Sequence, residues 1–158
     1  MELGQFATRE NSETGVWVEP IIFGSATGIE LCILGQDSDK VRRHAAATLR
    51  EIQAMTIPER ERVNFVERNR EEVVARTVGI RVKDSEEPVT IGGAVIENTP
   101  AGYRKLYSEI PEIQTFAKDF SDKRANFLPK KKASSNEPSD ASSSSTTPMQ
   151  SERETSDK

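Results

Sequence analysis

The chain has 158 residues, of which 34% are hydrophobic, 30% charged and 6% aromatic, and its net charge is -4. That length sets one small domain as the ceiling, and the acidic balance argues against a protein that holds nucleic acid by neutralising many phosphates. So low an apolar content means either a thin core or residues that lie outside it. The second applies: from Pro129 to Lys158 there is no Val, Ile, Leu, Phe, Trp or Tyr, and serine fills 142–145. Such a stretch cannot offset the entropy of ordering, so 129–158 is expected to be a disordered Ser-rich tail. Residues 1–14 are polar and unpatterned and are expected to be a flexible lead-in, which leaves 15–128 as a single domain.

Val16-Trp17-Val18 and Ile21-Ile22-Phe23 form an apolar run broken by Glu19-Pro20, and Ile29 to Leu34 form a second, β-branched run. The five turn-forming residues Gly24 to Gly28 between them predict a β-hairpin, and Pro20, which cannot donate to a ladder, points to an edge or a bulge. Alternation sets Ile29, Leu31 and Ile33 on the expected core face and Glu30, Cys32 and Leu34 on the other. Asp37 or Ser38 can then cap a helix over about 38–55, whose apolar stripe is Val41, Ala45, Thr48, Leu49, Ile52 and Met55.

Thr56-Ile57-Pro58-Glu59 fits a capping box and opens a second long helix to about Val78, with Val63, Val66, Val73, Val74 and Thr77 inward and alternating Glu and Arg outward. Gly79 is expected to end it. Ile80–Val82 and Val89–Ile91 predict a small second hairpin. Asn98 or Thr99 can cap a short helix carrying Tyr103, Leu106, Tyr107 and Ile110. Pro111 starts the last short helix, with Ile113, Phe116, Ala117 and Phe120 as its stripe, and Phe127 and Leu128 are expected to tuck down the end of the domain. The fold class is therefore α+β: an N-terminal β-hairpin, two long helices, a small second hairpin, two short C-terminal helices and the disordered tail.

No pattern in the chain supports an enzyme. His44 is the single histidine and Cys32 the single cysteine, and nothing brings them together as a nucleophile and base. Cys32 reads as a small buried hydrophobe, and one cysteine forms no internal disulfide and no cysteine zinc cluster. Gly24 to Gly28 lacks the lysine of a phosphate-cradling loop, and Gly92-Gly93 is too short for a nucleotide fingerprint. Asp37-Ser38-Asp39 is explained by capping without a metal, so no catalytic, cofactor or metal residue is assigned. The N-terminus lacks a basic and apolar leader, and no apolar run approaches the ~20 residues that cross a bilayer, so the expectation is a soluble intracellular protein without membrane or nucleic-acid partners.

Three stretches together resemble a known family. A tryptophan-containing strand, the turn Ala26-Thr27-Gly28-Ile29-Glu30, and a strand running into Leu34-Gly35-Gln36-Asp37-Ser38-Asp39 before a charged helix resemble the opening of the tail assembly chaperones of long-tailed, siphovirus-type bacteriophages. Leu106-Tyr107, Pro111-Glu112-Ile113 and Lys123-Arg124-Ala125-Asn126-Phe127-Leu128 are similar to that family's closing helices, and the likeness covers about 15–128. One departure is Gly79-Ile80, where such proteins often show Gly-Trp.

The resemblance implies a non-enzymatic protein of the host cytoplasm, absent from the mature virion, that binds the tape measure protein and keeps it soluble during tail tube assembly. It also implies contact with the tail tube protein and with a frameshifted longer form of the chain, for which the lysine codons of Lys130-Lys131-Lys132 are a candidate slip site. The alternative is a minor structural protein of the phage head or tail. Tyr103, Tyr107, Phe116, Phe120, Leu49 and Val73 are the candidate partner contacts, although the same residues suit a core, because so small a domain has few apolar side chains to spare.

Overall fold

The computed structural model of the chain describes residues 2–130, so the tail expected over 129–158 lies outside the described residues beyond Lys130. In chain order the elements are α1 (Arg9–Thr14), β1 (Val16–Val18), β2 (Ile21–Ile22), β3 (Ser25–Ala26), β4 (Ile29–Ile33), α2 (Asp39–Ala54), α3 (Ile57–Glu61) and α4 (Phe65–Arg76). These are followed by β5 (Thr77–Val82), β6 (Thr90–Ile91), β7 (Ala94–Val95), α5 (Pro100–Glu109), α6 (Pro111–Asp122) and a 3-10 turn at Arg124–Phe127. Helices and antiparallel strands make the fold α+β.

The central sheet is antiparallel in the order β1-β4-β5, with Val18, Leu31 and Ile80 in register across its inner face. Helices α4, α5 and α6 cover that face, and Leu31, Ile33, Val73, Tyr103, Leu106, Tyr107, Ile113 and Ala117 form the buried core with it. The bulge in the β4–β5 pairing, after Cys32, leaves Val78 outward while Thr77 turns in. The Thr77 hydroxyl donates to the Val73 carbonyl at 2.8 Å, so the buried Tyr107 hydroxyl, 2.5 Å away, must be the donor to Thr77 Oγ1. Burial pushes the Tyr107 hydroxyl well above the ordinary tyrosine range, which keeps it a donor.

The outer face of the sheet is covered as well. The Trp17 ring lies across Cys32 toward Gly79, and the Arg81 guanidinium stacks 4.0 Å from the ring centroid while its Nε donates to Glu30 at 2.6 Å. A Cβ on Gly79 would come within 2.6 Å of the Trp17 ring and 3.1 Å of Cys32 Cβ. The glycine is there because the indole occupies its side-chain space. Cys32 and Leu34 are thus buried along with Leu31 and Ile33, and burial raises the Cys32 thiol pKa.

Several expectations are corrected. The lead-in 1–14 contains a docked helix: α1 buries Ser12 against Gly35, whose N–H donates to the Ser12 carbonyl at 3.1 Å, and Asn11 Nδ2 donates to the Phe127 and Leu128 carbonyls. A Cβ on Gly35 would lie 2.3 Å from Ser12 Oγ, so this contact needs a small residue on each side and leaves no apolar stripe in the sequence.

The second long helix is broken. Asn64 accepts from the Val66 and Glu67 N–H groups and starts α4 afresh, leaving Val66 exposed. Gly79 sits inside β5 instead of ending a helix, because α4 passes directly into the sheet. Ile80–Val82 therefore pairs with β4, and the small hairpin is β6–β7 across Gly92-Gly93, both at positive φ. Leu128 stays partly exposed while Phe127 is buried, edge-on to Phe120 at 5.7 Å.

One buried cation ties the ends of three elements together. Arg76, 6% exposed, donates to Ser121 Oγ at 3.2 Å and to Asp122 at 2.5 Å and pairs with Glu72 one turn back, while Ser121 Oγ donates to the Leu34 carbonyl at 2.6 Å. Burial alone would raise the Asp122 carboxyl pKa, but hydrogen bonding and charge from Arg76, with help from Lys118, bring it below the ordinary value.

Two predictions follow from this packing. Gly79→Ala should cost about 1–3 kcal/mol in urea denaturation, through overpacking against the indole, and most of that loss should vanish in a Trp17→Ala background. An undiminished loss there would place the strain elsewhere. A folded-state pKa below the unfolded one means that the stability from Asp122 is complete above the ordinary carboxylate pKa of about 3.9 and is lost as pH falls through the folded value. Asp122→Asn should therefore lower stability at neutral pH and flatten its decline in acid, and parallel wild-type and variant curves would contradict the pairing.

Candidate functional site

Helix α2 is amphipathic in sequence, and the fold leaves much of its apolar stripe uncovered. Ser38 caps it, with Oγ accepting from the Val41 N–H at 3.2 Å, and Asp37 is left to bind Arg124 through two hydrogen bonds of 2.6 and 2.9 Å. Of the predicted stripe only Val41 is buried. Thr48, Ile52 and Met55 are half-covered, and Leu49 is 56% exposed. Across from it, Phe65 at the first position of α4 is 65% exposed.

Between α2 and α4 runs an open cleft of about 310 Å³ lined by Ala45, Leu49, Ile52 and Phe65 together with the polar His44, Thr48, Arg68, Asn69 and Glu72. Its lining is mostly apolar. The feature is a groove between two helices that starts beside the core and extends past it, and its chemistry is that of non-covalent contact with an apolar surface. His44 is half-covered in the wall of this groove.

The six residues expected to touch a partner separate cleanly. Tyr103, Tyr107 and Val73 are buried in the core and are corrected to structural residues, because α5 and α4 turn these side chains onto the inner face of the sheet. Phe116 and Phe120 are half-buried and stacked on one another at 6.2 Å, with Phe120 packed on the core. Leu49 lines the groove. Phe65 went unremarked in the sequence; the signal for it was an aromatic directly after a capping asparagine, a position that precedes the core stripe of α4.

A second exposed apolar spot is the β2–β3 turn, where Phe23 is 89% exposed at a φ of +50 beside Ile21 and Phe116, rimmed by Glu112 and Asp119. A further cleft of about 740 Å³ lies on the outer sheet face beside Trp17 and Lys130, and its lining is evenly polar and apolar. Among the described residues no three His, Cys, Asp or Glu side chains are grouped as metal ligands would be, and no helix is long and apolar enough to cross a membrane.

The division between core and groove predicts opposite mutational costs. Leu49→Ala should change stability by less than about 0.5 kcal/mol, whereas Leu106→Ala, which empties a buried site, should cost about 2–5 kcal/mol in the same denaturation assay. Equal losses would mean that Leu49 packs in the core after all. No family model, curated protein or solved structure matches this chain.

Proposed function

We propose that the chain is a bacteriophage tail assembly chaperone that acts by reversible binding in the host cytoplasm, holding the tape measure protein soluble while tail tube subunits assemble around it. The observation that carries the reading is the uncovered stripe of α2. An amphipathic helix of 16 residues buries one of them, and the groove beside it presents Leu49 and Phe65 to the solvent. A long helical client exposes apolar stripes of its own, and helix-in-groove contact shields them without covalent chemistry. The order of the sequence motifs from Trp17 through Asp39 to Asn126-Phe127-Leu128 supports the same reading. It also makes the tail tube protein and a longer frameshifted form further candidate partners; Lys131 and Lys132 of the candidate slip site lie outside the described residues.

Co-expression with the tape measure protein of the same genome tests the proposal. That protein should move from the pellet to the soluble fraction and co-purify with the chain, and mass spectrometry of purified virions should find the tape measure protein without the chain. A tape measure protein that stays insoluble, or virions that contain the chain in stoichiometric amount, would overturn the reading, the second result in favour of a minor structural protein.

A further inference from the structure

The β2–β3 turn holds a phenylalanine that neither its conformation nor its packing accounts for. Between Ile22 and Ser25 the turn has two residues, Phe23 and Gly24, and both are at positive φ, +50° and +76°. Asparagine or glycine suits the first position of such a turn, and a bulky side chain there is strained. Phe23 is nevertheless 89% exposed, so contacts within the chain return little for that strain. Together with exposed Ile21 and half-buried Phe116 of α6 it lines a mostly apolar hollow of about 330 Å³. Strain of this kind gathers where a residue is kept for a contact outside the fold.

The charged residues lining the hollow are both carboxylates, Glu112 and Asp119 on α6. They stand seven residues apart on one face, about 10.5 Å along the helix, with Phe116 between them. Among the described residues neither belongs to an ion pair. No cation lines the hollow: Lys118 is paired with Asp122, and Lys123 lies past the end of α6. We infer that this patch docks one basic amphipathic helix of a partner, its apolar stripe on Phe23, Ile21 and Phe116 and its Lys or Arg side chains, two turns apart, on Glu112 and Asp119. This deepens the chaperone reading and rests on it for the identity of the client, not for the chemistry of the patch. The acidic rim repels the phosphates of a membrane or a nucleic acid, and two copies meeting through this patch would set its carboxylates against each other. Residues 131–158 include Lys131 and Lys132 but no Val, Ile, Leu, Phe, Trp or Tyr to supply the stripe.

The test uses the full chain and two labelled helical peptides of about 20 residues, long enough to cross the patch. Both carry the same leucine stripe, flanked by lysine in one and by glutamate in the other, and binding is followed by fluorescence anisotropy at low and physiological salt. The lysine peptide should bind at least about tenfold more tightly, with the difference narrowing as salt rises. Phe23→Asn, which suits the turn, should raise the thermal midpoint of the chain while weakening that binding at least about tenfold. Glu112→Lys with Asp119→Lys should reverse the preference. Glu61→Lys with Glu67→Lys, the same change in net charge outside the patch, should leave it in place.

Equal affinity for the two peptides, or binding indifferent to Phe23→Asn, overturns the inference. So does a preference that the two charge-reversed pairs shift alike, since net charge and not the patch would then set it. Sedimentation of the wild-type chain as an oligomer that Phe23→Asn makes monomeric also overturns it, because a second copy would then occupy the patch. If neither peptide binds but the wild-type chain still solubilises the tape measure protein, the patch assignment fails and the function stands. Peptide binding as expected with no effect on that protein does the reverse.

Discussion

The buried Arg76 guanidinium is the contact on which the arrangement of the other elements depends. A charge this deep is costly unless it is paired, and its two terminal nitrogens are met from two directions, by Glu72 on its own helix and by Ser121 and Asp122 at the end of α6, while its Nε–H stays buried without a partner. The backbone closes the same knot. The Arg76 carbonyl accepts from the Leu34 N–H at 2.7 Å, Ser121 Oγ donates to the Leu34 carbonyl, and the Gln36 N–H donates to the Ser121 carbonyl. The last turn of α4, the end of β4 and the last turn of α6 are therefore fixed at one point. Replacing such a network with apolar groups can leave a protein no less stable, so its value here lies in direction: it sets where α4 leaves the core.

From that point the rest of α4 runs back along the molecule. Its C-terminal half supplies Val73 and Val74 to the core, and its N-terminal half passes beyond the core and carries Phe65 into solvent with it. Helix α2 follows the same course on the other side of the groove. Leu49 and Phe65 are two of twelve large apolar side chains left exposed among the described residues, while a serine, Ser121, and an arginine, Arg76, are inside, and it is the buried polar pair that is unusual.

Periodicity and capping made the main elements legible. The stripe of α2, the Ser38 cap, the proline starts of α5 and α6 and the strand pair β1–β4 all carry local signals that the fold obeys. The misreadings have a common physical cause, which is that the deciding partner was distant in sequence. Gly79 looked like a helix stop because nothing local says that the Trp17 ring will occupy its side-chain space. Ser12 falls in the unpatterned lead-in, since its close approach to Gly35, between two small residues, leaves no apolar mark. Tyr103 and Leu49 have similar local patterns, and only the position of the sheet decides that the first is core and the second surface.

The position of α2 beside the groove is fixed at its start by contacts to another element and at its end only by the short helix that follows it. At the start, Ser38 caps the first turn, and the Glu13 carboxylate accepts from the Asp39 N–H at 2.8 Å, tying α2 to α1. At the far end, Arg60 of α3 donates to the Ile52 and Gln53 carbonyls at 3.1 and 3.2 Å, satisfying groups that a helix C-terminus leaves free. Helix α3 is in turn fixed by Glu59, which accepts from the Thr56 N–H at 2.6 Å. Among the described residues only the start of α2 is hydrogen-bonded to an element outside its own hairpin, so rolling its stripe onto α4 would break the Glu13–Asp39 contact, whereas the Arg60 bonds join α2 to α3, the element that follows it, and would travel with it.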